Sequence, residues 1–309
     1  MRKISFLMAV HNEEKILDYT LKNLLDIPYD NYEVIIGLDG CNDRSEEIVK
    51  KYVKKSNKFK YYNLNIREGK PAVIDAIIKK SSGELIIVQD ADWIFDFRDE
   101  EKLDEFLKVF DNPRIGGIAE SFPVEWDENK IKDSDLGYKM VAYGTYFWIK
   151  FQKNKFSYKK GNLSYIKTPT MFLTNIFRRE LYRPNSSLGD DFERTKDIVN
   201  QGYEIVIFDD PSIPRMKAVY KNIRLNDLFK QKIRTAVARK QLNEDGVMPI
   251  NFFNYYFPST VFIFESGWKK GIYVGFLISL WIVITSFGEL ISKFKKYDTK
   301  KGWLLRATR

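Results

Sequence analysis

Apolar residues over the first hundred positions fall into short unbroken runs separated by stretches with helical spacing. Residues 4–10, ISFLMAV, suit a strand buried on both faces. In NEEKILDYTLKNLL the positions Ile16, Leu17, Leu21, Leu24 and Leu25 recur on one helix face, with Asn12 as a candidate cap. YEVIIGL reads as a second strand ending at Asp39-Gly40, and Asp43-Arg44-Ser45 opens a helix to about Val53. FKYYNLNI is a third strand, PAVIDAIIKKS a helix and ELIIVQ a fourth strand. This alternation predicts an α/β fold, a mainly parallel sheet flanked by helices on both faces. Ligands bind such sheets beyond the carboxyl ends of the strands, where Asp39 and Asp90 fall.

The middle of the chain is less regular. A helix is predicted over about 100–110, a strand in RIGGIAESFPV, a helix opened by acids in GDDFERTKDIVNQG and a strand in YEIVIFDD. Residues 144–160 are aromatic and basic, and 215–241 carry nine Lys or Arg against the single acid Asp227. After LNEDGVMP the pattern changes. Residues 271–288 hold no charge over 18 positions, and with their flanks make a helix of about 20 residues, the length that spans a hydrocarbon core. A buried core helix is the competing reading. Trp and Tyr within the segment, and the lysines at 269–270 and 293–296 that bracket it, favour a membrane. The chain therefore divides into residues 1–248, a catalytic domain, and 249–309, a membrane-associated region. The latter comprises an interfacial or hairpin helix over 250–266, a transmembrane helix over 271–291 and a basic tail. The tail has seven Lys or Arg and one Asp from 293 on, which places it in the cytosol. A cytosolic catalytic domain then requires an even number of crossings and favours the hairpin, although its turn, SGWKKG, is itself basic.

Composition narrows the chemistry. A 309-residue chain that is 44% hydrophobic buries a sizeable core. One cysteine, Cys41, excludes an intramolecular disulfide and a cysteine-rich zinc site. One histidine, His11, argues against a Ser-His triad or a histidine-built metal site, leaving acid–base work to carboxylates, Lys, Tyr or Cys41. The net charge of +9 points to a polyanionic partner: nucleic acid, an anionic membrane surface or phosphorylated substrates. The apolar run 4–10 is too short for a secretory signal.

The run 85–88 leads directly into Asp90-Ala-Asp92. If strand geometry persists, both carboxylates face one side, an arrangement that needs a positive charge between them. Mg²⁺ binds through one or two carboxylates plus substrate phosphates, so this doublet suits a diphosphate-bearing substrate. Several ordered motifs, spread over residues 4–241, together resemble the family 2 glycosyltransferases, inverting enzymes of the GT-A fold. MAVHNEE resembles the family's first-strand segment and LDGCNDRS its Asp-Asp-Gly-Ser turn, with Leu38 in place of the first Asp. REGKPAVIDAI resembles its Gly-Lys helix start and DADW its Asp-x-Asp. Gly189-Asp190-Asp191 and Gln231-Lys-Ile-Arg234-Thr235 resemble the acceptor-side pair of the cellulose, chitin and hyaluronan synthases, in which Trp stands where Thr235 is here.

The resemblance implies a nucleotide sugar, by preference a UDP-sugar, with Mg²⁺ or Mn²⁺ as cofactor. It implies Asp92 as metal ligand and Asp90 facing both metal and ribose. Asp39 would accept from the base, and Val10, His11, Glu13 and Lys70 would line the nucleotide. Asp191 would be the base that deprotonates the acceptor, and Asp190 its neighbour, raising its pKa by like-charge repulsion. Gln231 and Arg234, at i and i+3, would serve diphosphate and acceptor. The expected partners are the donor, the bilayer and a lipid-linked or glycan acceptor, without nucleic acid. The expected location is the cell membrane, the catalytic domain facing the cytoplasm. Two rivals stand beside this reading: a short processive polysaccharide synthase working with a partner channel, and an inactive basic scaffold binding membrane or RNA.

Overall fold

The computed structural model describes residues 2–120, 128–167, 172–185, 187–218, 223–244, 246 and 250–294. The parts of the expected 114–124 strand beyond 120, of the 215–241 basic stretch at 219–222, the 248/249 boundary and the tail beyond 294 lie outside these residues.

Strands β1 (Ile4–Val10), β2 (Tyr32–Leu38), β3 (Phe59–Asn63) and β4 (Leu85–Val88) alternate with α1 (Leu17–Leu25), α2 (Ser45–Lys55) and α3 (Lys70–Ile78). Then follow β5 (Trp93–Asp96), α4 (Glu100–Lys108), β6 (Ile115–Ala119), α5 (Glu128–Asp133) and α6 (Leu136–Phe156). The chain continues through β7 (Ser157–Lys160), β8 (Leu163–Ile166), β9 (Thr174–Arg178), α7 (Asp190–Asn200), β10 (Glu204–Phe208) and β11 (Arg215–Ala218). Three helices close it: α8 (Leu225–Glu244), α9 (Phe257–Lys270) and α10 (Ile272–Ser292). The main sheet runs β3-β2-β1-β4-β9-β6-β10-β8-β7, and β11-β5 form a small separate sheet. Its core is parallel at β3-β2-β1-β4 and again at β6-β10, with β9 antiparallel between β4 and β6.

Every residue of β1, β2 and β4 is buried, as unbroken apolar runs in a parallel sheet covered on both faces require. The two-residue period sorts the side chains. Phe6, Met8 and Val10 join Val34 and Ile36 in a core under α1, α2 and α4, whereas Leu7, Ala9 and Ile35 join the α3 and α7 side with Val73 and Ile198.

Three local expectations are corrected. Helix α1 begins at Leu17, because residues 13–17 first make a turn on the Glu13 carbonyl. Asn12, at φ 55°, is not its cap; its Oδ1 accepts from the Asn42 N–H instead. Strand geometry does not persist through Asp90-Ala-Asp92: β4 stops at Val88, and the Trp93 N–H closes a turn on the Asp90 carbonyl. The expected helix over 250–266 starts as a helical turn at Phe252–Tyr256 and continues as α9 to Lys270. Asn251 and Asn254 cap each other's backbone N–H, and Pro258 lies in the first turn of α9, where its missing N–H is harmless.

Helices α9 and α10 form an antiparallel pair packed on α6 and α8. One cluster gathers Tyr138, Val141 and Phe147 of α6, Leu228 of α8, Ile263 of α9 and Leu277, Ile278 and Trp281 of α10. Gly144 is the close point: a Cβ there would lie 2.4 Å from the Trp281 ring. Gly144→Val should therefore displace that ring and cost about 1–3 kcal/mol, read as a drop in melting temperature. Among the described residues, α10 is the one helix long and apolar enough to cross a membrane by length and composition, and 33% of its most apolar stretch is buried within the protein. Its other face is bare, with Ile272, Tyr273, Phe276, Val283 and Phe287 exposed beside Phe264 and Trp268 of α9.

Candidate active site

The loops that follow the parallel strands carry the predicted residues. At the ends of β1 and β2 these residues turn inward. Val10 is fully buried, its side chain in the core and its carbonyl accepting the Asp39 N–H. His11 Nδ1 lies 2.6 Å from the Asp39 carbonyl oxygen and so donates to it, tying the two strand ends together. The Glu13 N–H donates to Ser45 Oγ. Asp39 has no exposed surface: its carboxylate accepts from the backbone N–H of Glu68 at 2.6 Å and of Gly69 at 3.0 Å. In this structure Asp39 thus anchors the loop that starts α3.

That anchored loop delivers Lys70. Its Nζ is 3.0 Å from Asp90 Oδ1 and 3.4 Å from Asp190 Oδ2, bridging the end of β4 and the first turn of α7. Arg194, one turn along α7, adds a second cation at 2.8 Å from Asp190 Oδ2. Burial works against the Lys70 ammonium, but the carboxylates of Asp190, Asp90 and Asp191 outweigh it and hold its pKa above the usual lysine value. The positive charge that the acidic doublet required is therefore supplied, in part, by Lys70.

Asp191 sits beside this cluster and is pushed up to about 6, first by burial and then by the Asp190 charge, with Lys70 and Arg194 opposing. The like-charge effect of Asp190 has the expected sign but is second to burial. Asp191 also borders a cavity of about 270 Å³ together with Gln231 and Arg234 of α8. Three residues separated by forty positions in sequence thus meet on one surface, with Thr235 beside them.

Sequence reasoning missed several members of this surface. Trp93 of β5, Trp148 of α6 and Trp281 of α10 wall the cavity, so aromatic rings are present even though position 235 lacks one. Nothing in the local sequence links these three. Lys232 lines it as well, its Nζ 4.1 Å from the Trp281 ring centroid. Glu120, just past β6, is buried and pushed up to about 8 by burial and by the Asp191 charge, and its Oε1 has no hydrogen-bond partner among the described residues. It was legible: an acid at the carboxyl end of a parallel strand, the same signal that marked Asp39 and Asp90.

Among the described residues no three His, Cys, Asp or Glu side chains group to hold an ion by themselves. Asp90 and Asp92 offer hard carboxylate oxygens on one turn, and Asp92 is buried. That donor set fits a divalent cation completed by substrate phosphates, and does not fit a preformed cage.

Two solved structures share the fold. One is a mannosyltransferase from Pyrobaculum calidifontis in complex with GDP-Man and Mn²⁺ (TM-score 0.57, 14% identity, 98% of this chain and 78% of that one). The other is GalNAc-T7 with UDP, GalNAc and Mn²⁺ (TM-score 0.51, 16% identity, 72% and 44%). A poly-beta-1,6-N-acetyl-D-glucosamine synthase of Staphylococcus epidermidis is 34% identical over 119 residues, 38% of this chain. The same enzyme of Staphylococcus aureus is 34% identical over 116 residues. The match spans 27% of the length of each of these relatives. Residues 5–182, more than half of the chain, match glycosyl transferase family 2, and the chain belongs to that family.

Proposed function

We propose that this protein is an inverting glycosyltransferase that moves a sugar from a UDP-sugar to an acceptor held at a membrane. The observation that carries the reading is the double placement of Asp191, in contact range of the Lys70–Asp190 cluster at the strand ends and on the wall of the cavity that holds Gln231 and Arg234. An acceptor hydroxyl in that cavity attacks the anomeric carbon opposite the diphosphate. Its proton passes to the Asp191 carboxylate, the bond from carbon to the diphosphate oxygen breaks, and the nucleoside diphosphate leaves with the electron pair. Lys70 and Arg234 are the cations placed to take the diphosphate charge. His11, Glu13 and the loop anchored by Asp39 frame the nucleotide, and Gln231 orients the acceptor.

Asp92, with Asp90, would hold Mg²⁺ or Mn²⁺, which when bound offsets negative charge on the leaving diphosphate. Because the protein supplies only that pair, Mn²⁺ alone should bind weakly, and UDP should tighten it at least tenfold in a calorimetric titration. Equal affinity with and without UDP would reject Asp90 and Asp92 as a substrate-completed site.

The bare apolar faces of α9 and α10 support membrane attachment, with the exposed Arg224, Lys230 and Lys240 near anionic headgroups, each adding about 1 kcal/mol at the surface, and the catalytic part facing the cytoplasm. The similarity to the staphylococcal synthases, together with the tryptophan-walled cavity, favours a second reading, processive β-glycan synthesis. One assay separates these readings from an inactive scaffold. The full chain in phosphatidylcholine nanodiscs is given a panel of UDP-sugars with Mn²⁺, and UDP release and product length are followed. Release with at least one donor and a single-sugar product is expected. A ladder of products selects the synthase, and neither UDP release nor a UDP-induced rise in melting temperature rejects the enzyme.

A further inference from the structure

A second cavity adjoins the one that holds Asp191. It measures about 540 Å³, within the roughly 300–1,000 Å³ range of small-ligand sites, and lies between residues 252–260 and α10. Trp148, Arg239, Trp281 and Thr285 border both spaces, so one wall joins them. The two differ in character. The outer one is lined by Phe252, Phe257, Ile263 and Ile282, by the Glu289–Arg239 ion pair and by the exposed Lys293. Two of its apolar lining residues reach the surface, Phe252 at 59% and Phe257 at 56% exposure.

The inner cavity has the opposite problem. Lys232 and Arg234 face it, and neither has a carboxylate partner among the described residues. Asp191 is the one acid on that lining. Burial, and then the Arg239 charge, push the Lys232 ammonium down to about 7, with Glu289 opposing. Holding the Lys232 ammonium away from water without a carboxylate against it is costly, so the site suits a ligand that brings an anion. Arg234 is assigned to the donor diphosphate above, which leaves Lys232 for the acceptor. The indole N–H of Trp281, on the shared wall, is likewise buried and without an acceptor among the described residues.

We propose that the acceptor is a phosphorylated lipid whose phosphate rests on Lys232 and whose hydrocarbon chain passes Trp281 into the groove between residues 252–260 and α10. This rests on the reading of Asp191 as the acceptor base and names the acceptor class for it. The charge complementarity sits at the inner end and the apolar walls at the outer end, in the order that an anionic head and a membrane-bound tail require. A free phosphate would leave the outer groove unused, and an uncharged lipid would leave Lys232 unpaired.

The test uses the full chain in phosphatidylcholine nanodiscs and radiolabelled farnesyl phosphate as probe, with farnesol and inorganic phosphate as competitors. Saturable binding is expected, with each competitor at least 100-fold weaker than unlabelled farnesyl phosphate. Lys232→Met should weaken binding at least tenfold, while Lys232→Arg, which keeps the charge, stays within threefold and reports that the site still folds. Thr260→Trp, at an exposed position that lines the outer groove and not the inner cavity, should weaken binding at least fivefold and leave donor binding, read as the UDP-induced rise in melting temperature, unchanged. Unaltered binding by Lys232→Met overturns the phosphate assignment. Inorganic phosphate competing as well as farnesyl phosphate overturns the lipid. Donor turnover is measured in the same samples: absent farnesyl phosphate binding with intact UDP release sinks only this proposal, whereas absent UDP release sinks the transferase reading beneath it.

Discussion

Asp191→Asn should abolish sugar transfer, by at least about 10³-fold in kcat, and leave UDP-sugar binding within a factor of a few. The carboxylate is the one acid on the cavity lining, and the amide keeps its shape while losing its ability to take a proton. The same residue sets a pH dependence with a definite sign. Its carboxyl is pushed up to about 6, so below that pH it is protonated and cannot act as base. In the parent enzyme kcat should therefore fall about tenfold per unit below pH 6 and level off above it.

Stability should move the other way. A carboxyl whose folded pKa lies above its unfolded value opposes folding when ionised, a penalty absent near pH 4 and complete above about pH 6. Asp191→Asn removes it, so the variant should be more stable than the parent by about 1–3 kcal/mol at pH 8 and no more stable at pH 4. The lower end of that range allows for the partial exposure of Asp191. Urea unfolding at the two pH values reads it. Substantial transfer by the variant, or an equal stability difference at both pH values, would assign the base elsewhere.

Lys70→Met should be the most damaging single change outside the core. It leaves the buried Asp190 carboxylate with Arg194 as its remaining cation and takes the ammonium away from the partly exposed Asp90. Loss of one partner from a buried ion pair costs about 3–5 kcal/mol, and Arg194 places this case near about 3. Donor binding should be lost as well, read as the disappearance of the UDP-induced rise in melting temperature. A variant that unfolds like the parent at pH 7 would mean that the Lys70 bridge is dispensable.

Much of the catalytic half was legible in the order of residues. Unbroken apolar runs such as ISFLMAV and YEVIIGL mark strands covered on both faces, and their ends place Asp39 and Asp90 where a parallel sheet binds ligands. The strand boundaries at Ile4–Val10 and Tyr32–Leu38 coincide with the runs because both faces are buried, and the polar residues within them, Ser5 and Glu33, hydrogen-bond each other. The ends of helices were less legible. Asn12 carries the composition of a cap, but its side chain is used by the neighbouring loop through Asn42, a contact thirty residues away.

Chain order alone therefore determined the parallel strands β1 to β4, the acids at their ends and the residue types able to carry an acid–base reaction, but not β9, which enters antiparallel between β4 and β6. Tertiary structure decided which of them meet. Asp39 is held by backbone N–H groups, Lys70 reaches two carboxylates 100 residues apart, and Asp191 faces Gln231 and Arg234. It also turned an apolar helix that reads as a membrane span or a core helix into a wall of the cavity beside Asp191, through Trp281. The reason is physical: hydrophobic periodicity and capping are local and repeat along the chain, whereas a buried charge or an aromatic wall depends on the partners that folding brings from distant elements.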